Sequence, residues 1–214
     1  MHCRRLALPL AACAAAAALV AGTASAASPA VNGPLALSTP GAWQTWWGNA
    51  LFGPGSVTLS STTPVSPAET HSALVTSKRT WRDPAISFST TTLGQLRRGS
   101  APNPWEVGWV MFRFRDLANY YYFIVKTNGF ELGKKQGSDA QIFLATGDMP
   151  RLSVAAPRSV QIRVEGARIR VSVDGVQVID FTDPHPLTGP GSVGLYEEDS
   201  QVRFDSFSAS SATA

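Results

Sequence analysis

The chain has 214 residues, of which 44% are hydrophobic, with 18 basic and 15 acidic residues and a formal net charge of +3. This length suits one all-β domain with a substantial core. Two of the basic residues, Arg4 and Arg5, and both cysteines, Cys3 and Cys13, lie in the first 13 positions. Without that segment the chain has no cysteine, which excludes thiol chemistry. It then has 16 basic residues (18 minus 2) and 15 acidic ones, and this near balance argues against a nucleic-acid partner.

The N-terminal segment has the pattern of a signal peptide. Arg4 and Arg5 precede the apolar residues 6–22, and Ala24-Ser25-Ala26 forms a small-residue cleavage pattern. We expect cleavage after Ala26, or alternatively after Ala27, which makes residues 1–26 the signal and the mature protein secreted. A lipoprotein box at residues 10–13, ending at Cys13, is the competing interpretation. No other apolar run is long enough to span a bilayer.

Residues 27–71 form an entry segment rich in Pro, Gly, Ser and Thr. We expect a few short strands here. Trp43, Trp46 and Trp47 indicate that the segment packs on the main domain.

From residue 72 onward the sequence alternates between apolar and polar residues almost continuously, which indicates β-strands. The predicted strands cover 72–78, 85–92, 106–115, 119–127, 130–135, 139–146, 159–164, 168–173, 176–181, 192–197 and 201–208. Turn signals separate them, above all Asn128-Gly129 and Asp174-Gly175, which tolerate positive φ. The pattern predicts an all-β fold, an antiparallel two-sheet sandwich of the jelly-roll type, over residues 72–208, with a disordered tail at 209–214.

The hairpin around Asn128-Gly129 divides its residues between two faces. With these two residues as the turn, Val125 lies opposite Leu132, and Lys126 lies opposite Glu131. The predicted core face comprises Tyr121, Phe123, Val125, Phe130 and Leu132. The other face carries Tyr120, Tyr122, Ile124, Lys126, Glu131 and Lys135, with a gap at Gly133.

The preceding strand extends this division if residues 116–119 form the loop. Arg115 then lies opposite Tyr120, Arg113 opposite Tyr122, and Phe114 joins the core. The predicted ligand-binding face therefore comprises Trp109, Arg113, Arg115, Tyr120, Tyr122, Lys126, Glu131 and Lys135.

This face has the chemistry of a carbohydrate site. Aromatic rings contact the C–H faces of sugars, and charged groups bond to hydroxyls or pair with carboxylates. Four cations against one anion favour a uronate or another acidic glycan. The simpler alternative is a cross-strand Lys126–Glu131 ion pair among solubilising arginines.

Three stretches resemble a known superfamily: residues 105–135 (WEVGWVMFRFRD followed by NYYYFIVKTNGFELGKK), residues 170–183 (RVSVDGVQVIDFTD) and residues 191–207 (GSVGLYEEDSQVRFDSF). They are similar to concanavalin A-like lectins and glucanases, and most of all to the LamG-like and 3-keto-disaccharide hydrolase (DUF1080) jelly rolls of secreted bacterial proteins. The resemblance covers residues 72–208. It implies the sandwich fold but not one activity, because the fold hosts lectins, binding modules, hydrolases and lyases.

The enzymes of this superfamily offer two catalytic patterns, and neither is complete here. The family 16 glucanases need an ExDxxE strand, whereas Glu197-Glu198-Asp199 has the wrong spacing. Because only Glu131 lies on the predicted face, a hydrolase would need a second acid from Asp116, Asp139 or Glu106. The lyase motif QIH is present only as Gln141-Ile142-Phe143. If the protein is an enzyme, the candidate catalytic residues are Tyr120, Tyr122, Arg113 and Glu131.

A metal site is a secondary possibility. Beyond the signal the chain has only His71 and His185, so a His-based zinc site is not expected. A structural Ca²⁺ is more plausible, with Asp205 as the first candidate ligand and Asp180, Asp183 and Glu198–Asp199 as others. No cofactor is required.

The sequence thus predicts a secreted carbohydrate-binding β-sandwich. A polysaccharide lyase or glycoside hydrolase using the same face is the alternative, and a cell-surface protein-interaction domain is a third. The oligomeric state remains open.

Overall fold

Two antiparallel seven-stranded sheets pack face to face in the computed structural model, which describes residues 34–138, 140–150 and 153–212. The predicted signal peptide lies outside these residues. Within them, no helix has the length and apolar character needed to cross a membrane.

The first sheet has the strand order β1-β4-β13-β6-β7-β8-β9. Its strands are β1 (Trp43–Trp47), β4 (Ser72–Trp81), β13 (Gly191–Glu198), β6 (Gly108–Asp116), β7 (Asn119–Lys126), β8 (Gly129–Gln136) and β9 (Ile142–Asp148). A short 3₁₀ helix, Pro40–Ala42, leads into β1.

The second sheet has the strand order β12-β11-β10-β5-β14-β3-β2. Its strands are β12 (Val176–Thr182), β11 (Arg168–Val173), β10 (Arg158–Glu165), β5 (Pro84–Gln95), β14 (Ser200–Ser211), β3 (Ser56–Ser60) and β2 (Asn49–Gly53). The predicted all-β sandwich is confirmed. However, β14 runs three residues past the predicted end of the sandwich at 208.

The core lies between the two sheets and follows the predicted alternation. Val110, Phe112, Tyr121 and Phe123 of the first sheet meet apolar side chains of the second, such as Phe204. The strands β5 and β10 alternate buried with more exposed residues along most of their length. Burial of this apolar surface is the main stabilising term of the sandwich.

The turn between β7 and β8 differs from the prediction by one residue. Lys126 pairs with Gly129, so the turn residues are Thr127-Asn128 rather than Asn128-Gly129. Gly129 is needed within the strand, because a Cβ there would lie 2.2 Å from the Gly147 carbonyl oxygen of β9. This shift of the turn moves the partner of each β7 residue by two positions along β8, and residues two apart lie on the same face of a strand. The predicted faces of the hairpin are therefore retained.

The register between β6 and β7 corrects a second prediction. Phe112, not Phe114, lies opposite Tyr121, and Met111, not Arg113, lies opposite Tyr122. A bulge causes the change: between Phe112 and Asp116, three β6 residues oppose the single residue Tyr120.

The bulge begins at Arg113, whose φ is +47°, and it exchanges the faces of two side chains. Arg113 turns away from the predicted ligand face and is buried, while Phe114 joins that face. Gly191 of the neighbouring strand permits this backbone path, because a Cβ there would lie 2.3 Å from the Arg113 carbonyl carbon.

Candidate functional site

Seven aromatic rings cover the outer face of the first sheet, and we call this surface the aromatic face. Its rings belong to Trp46, Trp47, Trp109, Phe114, Tyr120, Tyr122 and Tyr196. Neighbouring centroids are 5.2–6.4 Å apart, which is the range of favourable aromatic pairs.

The rings close a circuit across the sheet. Its two ends, Trp47 and Tyr196, meet on β4, where both pair with Leu74, and Trp47 donates its indole N–H to Ser72 Oγ at 2.8 Å. Leu74, Met111 and Gly194 lie on the strands that the circuit encloses. Because Gly194 adds no side chain there, the aromatic rings dominate this surface.

The rings expected to stack on a ligand are mostly buried, which corrects the prediction that they are exposed. Trp109 is 5% exposed, Tyr120 is 9% exposed, and Tyr122 is fully buried. Tyr122 fills the gap expected at Gly133, since a Cβ on Gly133 would lie 2.3 Å from its ring. These residues support the surface, and other rings form its exposed part.

Trp46 and Trp105 supply the exposed rings. Trp46 is 40% exposed, packs against Phe114 and donates its indole N–H to Thr76 Oγ1 at 2.9 Å. Trp105 is 42% exposed and lies beside the aromatic face, because its carbonyl oxygen accepts the indole N–H of Trp109 at 2.8 Å. Both rings leave an apolar surface open to solvent.

Glu131 forms one polar centre of the face. One of its carboxylate oxygens accepts the Tyr122 hydroxyl at 2.9 Å, and the other accepts Lys126 Nζ at 3.0 Å. Burial raises the pKa of Tyr122, and the negative charge of Glu131 adds to the effect. The phenol therefore stays a hydrogen-bond donor. The Lys126–Glu131 ion pair expected as the simpler interpretation is present.

Glu198 forms a second polar centre. Its Oε1 accepts the Tyr196 hydroxyl at 2.7 Å, and the Tyr196 ring packs on Trp109 at 5.4 Å. Burial raises the pKa of Glu198, and the neighbouring carboxylates of Asp199 and Glu106 add to this. Glu198 thus places a partly buried carboxylate against the aromatic face.

The other three cations predicted for this face, besides Lys126, lie in three separate places. Arg113 lies at the end of the sandwich, where it donates to the carbonyls of Arg82, Leu187 and Gly166 and to Asp83. Arg115 is exposed in the bulge, and Lys135 lies opposite Tyr120.

The charge balance of the face changes accordingly. Of the predicted cations, Lys126 and Lys135 lie on the aromatic face and Arg113 leaves it, while Glu198 adds a carboxylate to that of Glu131. The excess of cations over anions predicted for this face is therefore smaller than the sequence suggested.

Two of the three acids considered as partners for Glu131 are engaged elsewhere. Asp116 accepts hydrogen bonds from Asn119 and the Ala118 amide within its turn, and these bonds lower its pKa, the Asn119 contact most strongly. Glu106 is buried and accepts hydrogen bonds from Arg97 and Asn103. Asp139 lies outside the described residues.

The structure gives no support to the predicted calcium ligands. Asp205 pairs with Arg203 at 2.6 Å, Asp180 with Arg168, and Asp183 with Lys134. The described residues contain no group of three His, Cys, Asp or Glu side chains arranged to hold a metal ion.

Trp105 and Tyr196 were missed as site residues, while Trp46 was expected only to pack and Glu198 only to bind calcium. The alternation of residues 191–198 contains a signal for Tyr196, because it places Tyr196 on the face opposite the buried Leu195. The pairing of β13 with β6, which brings Tyr196 opposite Trp109, is a tertiary property.

Solved structures of similar fold include several carbohydrate-related proteins. The chain is 20% identical to the carbohydrate-binding module CBM66 from Bacillus subtilis, covering 79% of this chain and 96% of that one with a TM-score of 0.63. A native glycosidic hydrolase shows 12% identity, coverage of 87% and 99%, and a TM-score of 0.61. The VIP36 exoplasmic/lumenal domain, in a form bound to Ca²⁺ and Man3GlcNAc, shows 11% identity, coverage of 84% and 88%, and a TM-score of 0.60.

These likenesses establish the fold that the concanavalin A-like resemblance implies. No curated protein sequence matches the chain significantly. A family match covers most of the sandwich: residues 42–208 match the 3-keto-alpha-glucoside-1,2-lyase-like domain. The chain belongs to this family.

Proposed function

We propose that this protein binds a glycan on the aromatic face. The observation that carries the proposal is the circuit of seven rings, which includes the exposed Trp46. Two carboxylates that accept tyrosine hydroxyls lie beside these rings. Exposed rings offer apolar contact to sugar C–H faces, while carboxylates and phenols bond to sugar hydroxyls. Family membership supports the same class of ligand, as does the similarity to CBM66, a carbohydrate-binding module, and to VIP36, whose domain was solved with Man3GlcNAc bound.

The charges of the face favour a neutral glycan over a uronate. Arg113 points away, and Lys126 is already paired with Glu131. Glu198 adds a carboxylate whose hydrogen-bond partner is the neutral Tyr196 phenol, so it would repel an acidic sugar. A neutral polyhydroxylated ligand meets no such repulsion.

The test is calorimetric titration of the full chain against neutral and uronate oligosaccharides. We expect binding to a neutral member, and Trp46→Ala to weaken it by about tenfold. Leu51→Ala is the matched control, because Leu51 is an exposed apolar residue on the second sheet. The proposal fails if no member binds, or if Trp46→Ala binds as tightly as the unchanged chain.

A second candidate function is an elimination reaction at the same face. The family description names a lyase acting between C1 and C2 of a 3-keto-α-glucoside. A ketone at C3 acidifies the C2 hydrogen, so a base that removes this proton forms the C1–C2 double bond as the C1–O bond breaks. The leaving oxygen then takes a proton from an acid.

Glu198 and Tyr196 are residues of the right kind for these two roles. The raised pKa of Glu198 makes it a stronger base than an ordinary carboxylate, and the Tyr196 phenol stays protonated. The lyase candidate predicts that a 3-keto-disaccharide releases its leaving sugar, and that Glu198→Gln abolishes this release while the substrate still binds. Binding without release in the unchanged chain would leave the binding function alone.

We also propose that the protein is exported, on the basis of the residue pattern of its first 26 positions. Expression with the native N-terminus should yield extracellular protein whose first residue is Ala27. Recovery in the membrane fraction with a lipid on Cys13 would instead support the lipoprotein alternative.

A further inference from the structure

A buried polar cluster lies behind the Glu198 end of the aromatic face, and we call it the Arg97 clamp. It consists of Arg97, Asn103, Glu106 and Asp199. The carboxylates of Glu106 and Asp199 are fully buried, and the Arg97 side chain is 6% exposed. A guanidinium held this deeply needs several acceptors to offset the loss of water.

Arg97 joins three separate segments of the chain. Its Nε donates to Glu106, its Nη2 donates to Asp199 Oδ2 at 2.8 Å, and its Nη1 donates to the Pro67 carbonyl at 2.7 Å. A lysine in its place has one donor atom and would not reach all three acceptors in this planar arrangement.

The clamp fixes the loop between β5 and β6, residues 96–107. Asn103 donates to the same Glu106 oxygen at 2.8 Å, and Gln95 donates to the carbonyls of Asn103 and Glu106, each at 3.2 Å. Trp105 lies between these two anchored residues. Its position beside the aromatic face thus depends on the clamp.

The clamp also contains features that are costly to the folded state. Asp199 has a φ of +41°, and a second Glu106 oxygen is buried with no hydrogen-bond partner among the described residues. Backbone strain and unsatisfied buried groups persist when the surrounding structure requires them, and they are concentrated at functional sites.

From this geometry we propose that Arg97 is a positioning residue that sets the affinity for glycan. It holds the 96–107 loop in place, and the loop in turn holds Trp105 at the edge of the aromatic face. The inference rests on the proposed glycan binding, because Arg97 itself is buried and touches no ligand.

A double-mutant cycle with a glycan-independent readout tests this. Arg97→Lys should weaken binding of the neutral oligosaccharide identified by the panel by about tenfold in the native chain. In a Trp105→Ala background the same change should have almost no effect on affinity. The control is Arg98→Lys, because Arg98 is the exposed neighbour, and it should leave affinity unchanged.

The second readout is hydrogen exchange of the Trp109 indole N–H, which is bonded to the Trp105 carbonyl. Arg97→Lys should accelerate this exchange while the Trp43 indole, bonded to Ala36 in the core, keeps its rate. If Arg97→Lys does not fold, Asn103→Ala loosens the same loop through a single bond and takes its place.

Unchanged Trp109 exchange, or an affinity loss of equal size in the Trp105→Ala background, would overturn the proposal. If the unchanged chain binds no glycan, the proposed function and the affinity role of Arg97 both fail. Accelerated Trp109 exchange would then still show that the clamp positions the loop.

Discussion

At the residue scale, the aromatic face depends on close packing between tyrosines and their smallest neighbours. Tyr122 lies over Gly133 and reaches Glu131, so one ring fills the space left by a glycine and satisfies a buried carboxylate. Sequence alternation placed these residues on one face correctly. It could not show their burial, because the rings are covered by one another and by groups distant in sequence.

Gly133→Ala should destabilise the fold by about 1–3 kcal/mol, since the added methyl group would overlap the Tyr122 ring. Urea unfolding measures the change. Gly94→Ala is the matched control, because no atom outside its chain neighbours lies within 4 Å of a Cβ there. Equal stability of the two variants would show that Tyr122 does not pack on Gly133.

At the scale of elements, the bulge in β6 decides which side chains reach the aromatic face. It moves Arg113 into the end of the sandwich and brings Phe114 to Tyr120 and Trp46. The sequence of β6 contains no signal for this bulge. A positive φ is expected at Gly or Asn rather than at Arg, and the residue that permits it, Gly191, lies in another strand.

Arg113→Met should lower the free energy of unfolding by about 2–4 kcal/mol, because it leaves Asp83 and three carbonyl groups without their donor. Arg115→Met, in the exposed part of the same bulge, should change it by less than about 0.5 kcal/mol. Chemical denaturation compares the two. A stable Arg113→Met variant with lost glycan affinity would contradict the structure and restore Arg113 to the ligand face.

At the scale of the whole molecule, the sandwich was largely predictable because strand alternation and turn residues act locally. The slip of the β7–β8 turn did not exchange faces, since the partners moved by two positions. The second half of the site was not predictable. Tyr196 reaches Trp109, and Glu198 bonds to Tyr196 there, only because β13 pairs with β6, across more than 80 residues of sequence.

Stability should depend on pH through Glu197, which is fully buried at the junction of β13 and β14. Burial raises its pKa from 4.5 to about 7, so the folded state binds a proton that the unfolded state releases. This contribution is complete below about pH 4.5, falls as the pH rises to about 7, and amounts to at most roughly 3 kcal/mol.

Urea unfolding at pH 5 and pH 7.5 checks this dependence. Glu197→Gln should remove the loss of stability between pH 5 and pH 7.5, while Glu69→Gln, a control at a half-buried carboxylate that accepts the Val65 amide, should keep it. A pH slope that persists unchanged in Glu197→Gln would assign it to another group.

The most direct measurement of the central claim is a titration of the full chain with a neutral oligosaccharide, followed by NMR of the tryptophan indole N–H groups. We predict that the signals of Trp46 and Trp105, assigned by substitution, shift with the bound fraction. Those of Trp43 and Trp81, which are buried in the core between the sheets, should stay in place. Binding that moves only Trp43 or Trp81, or that leaves Trp46 and Trp105 unshifted, would contradict glycan recognition at the aromatic face.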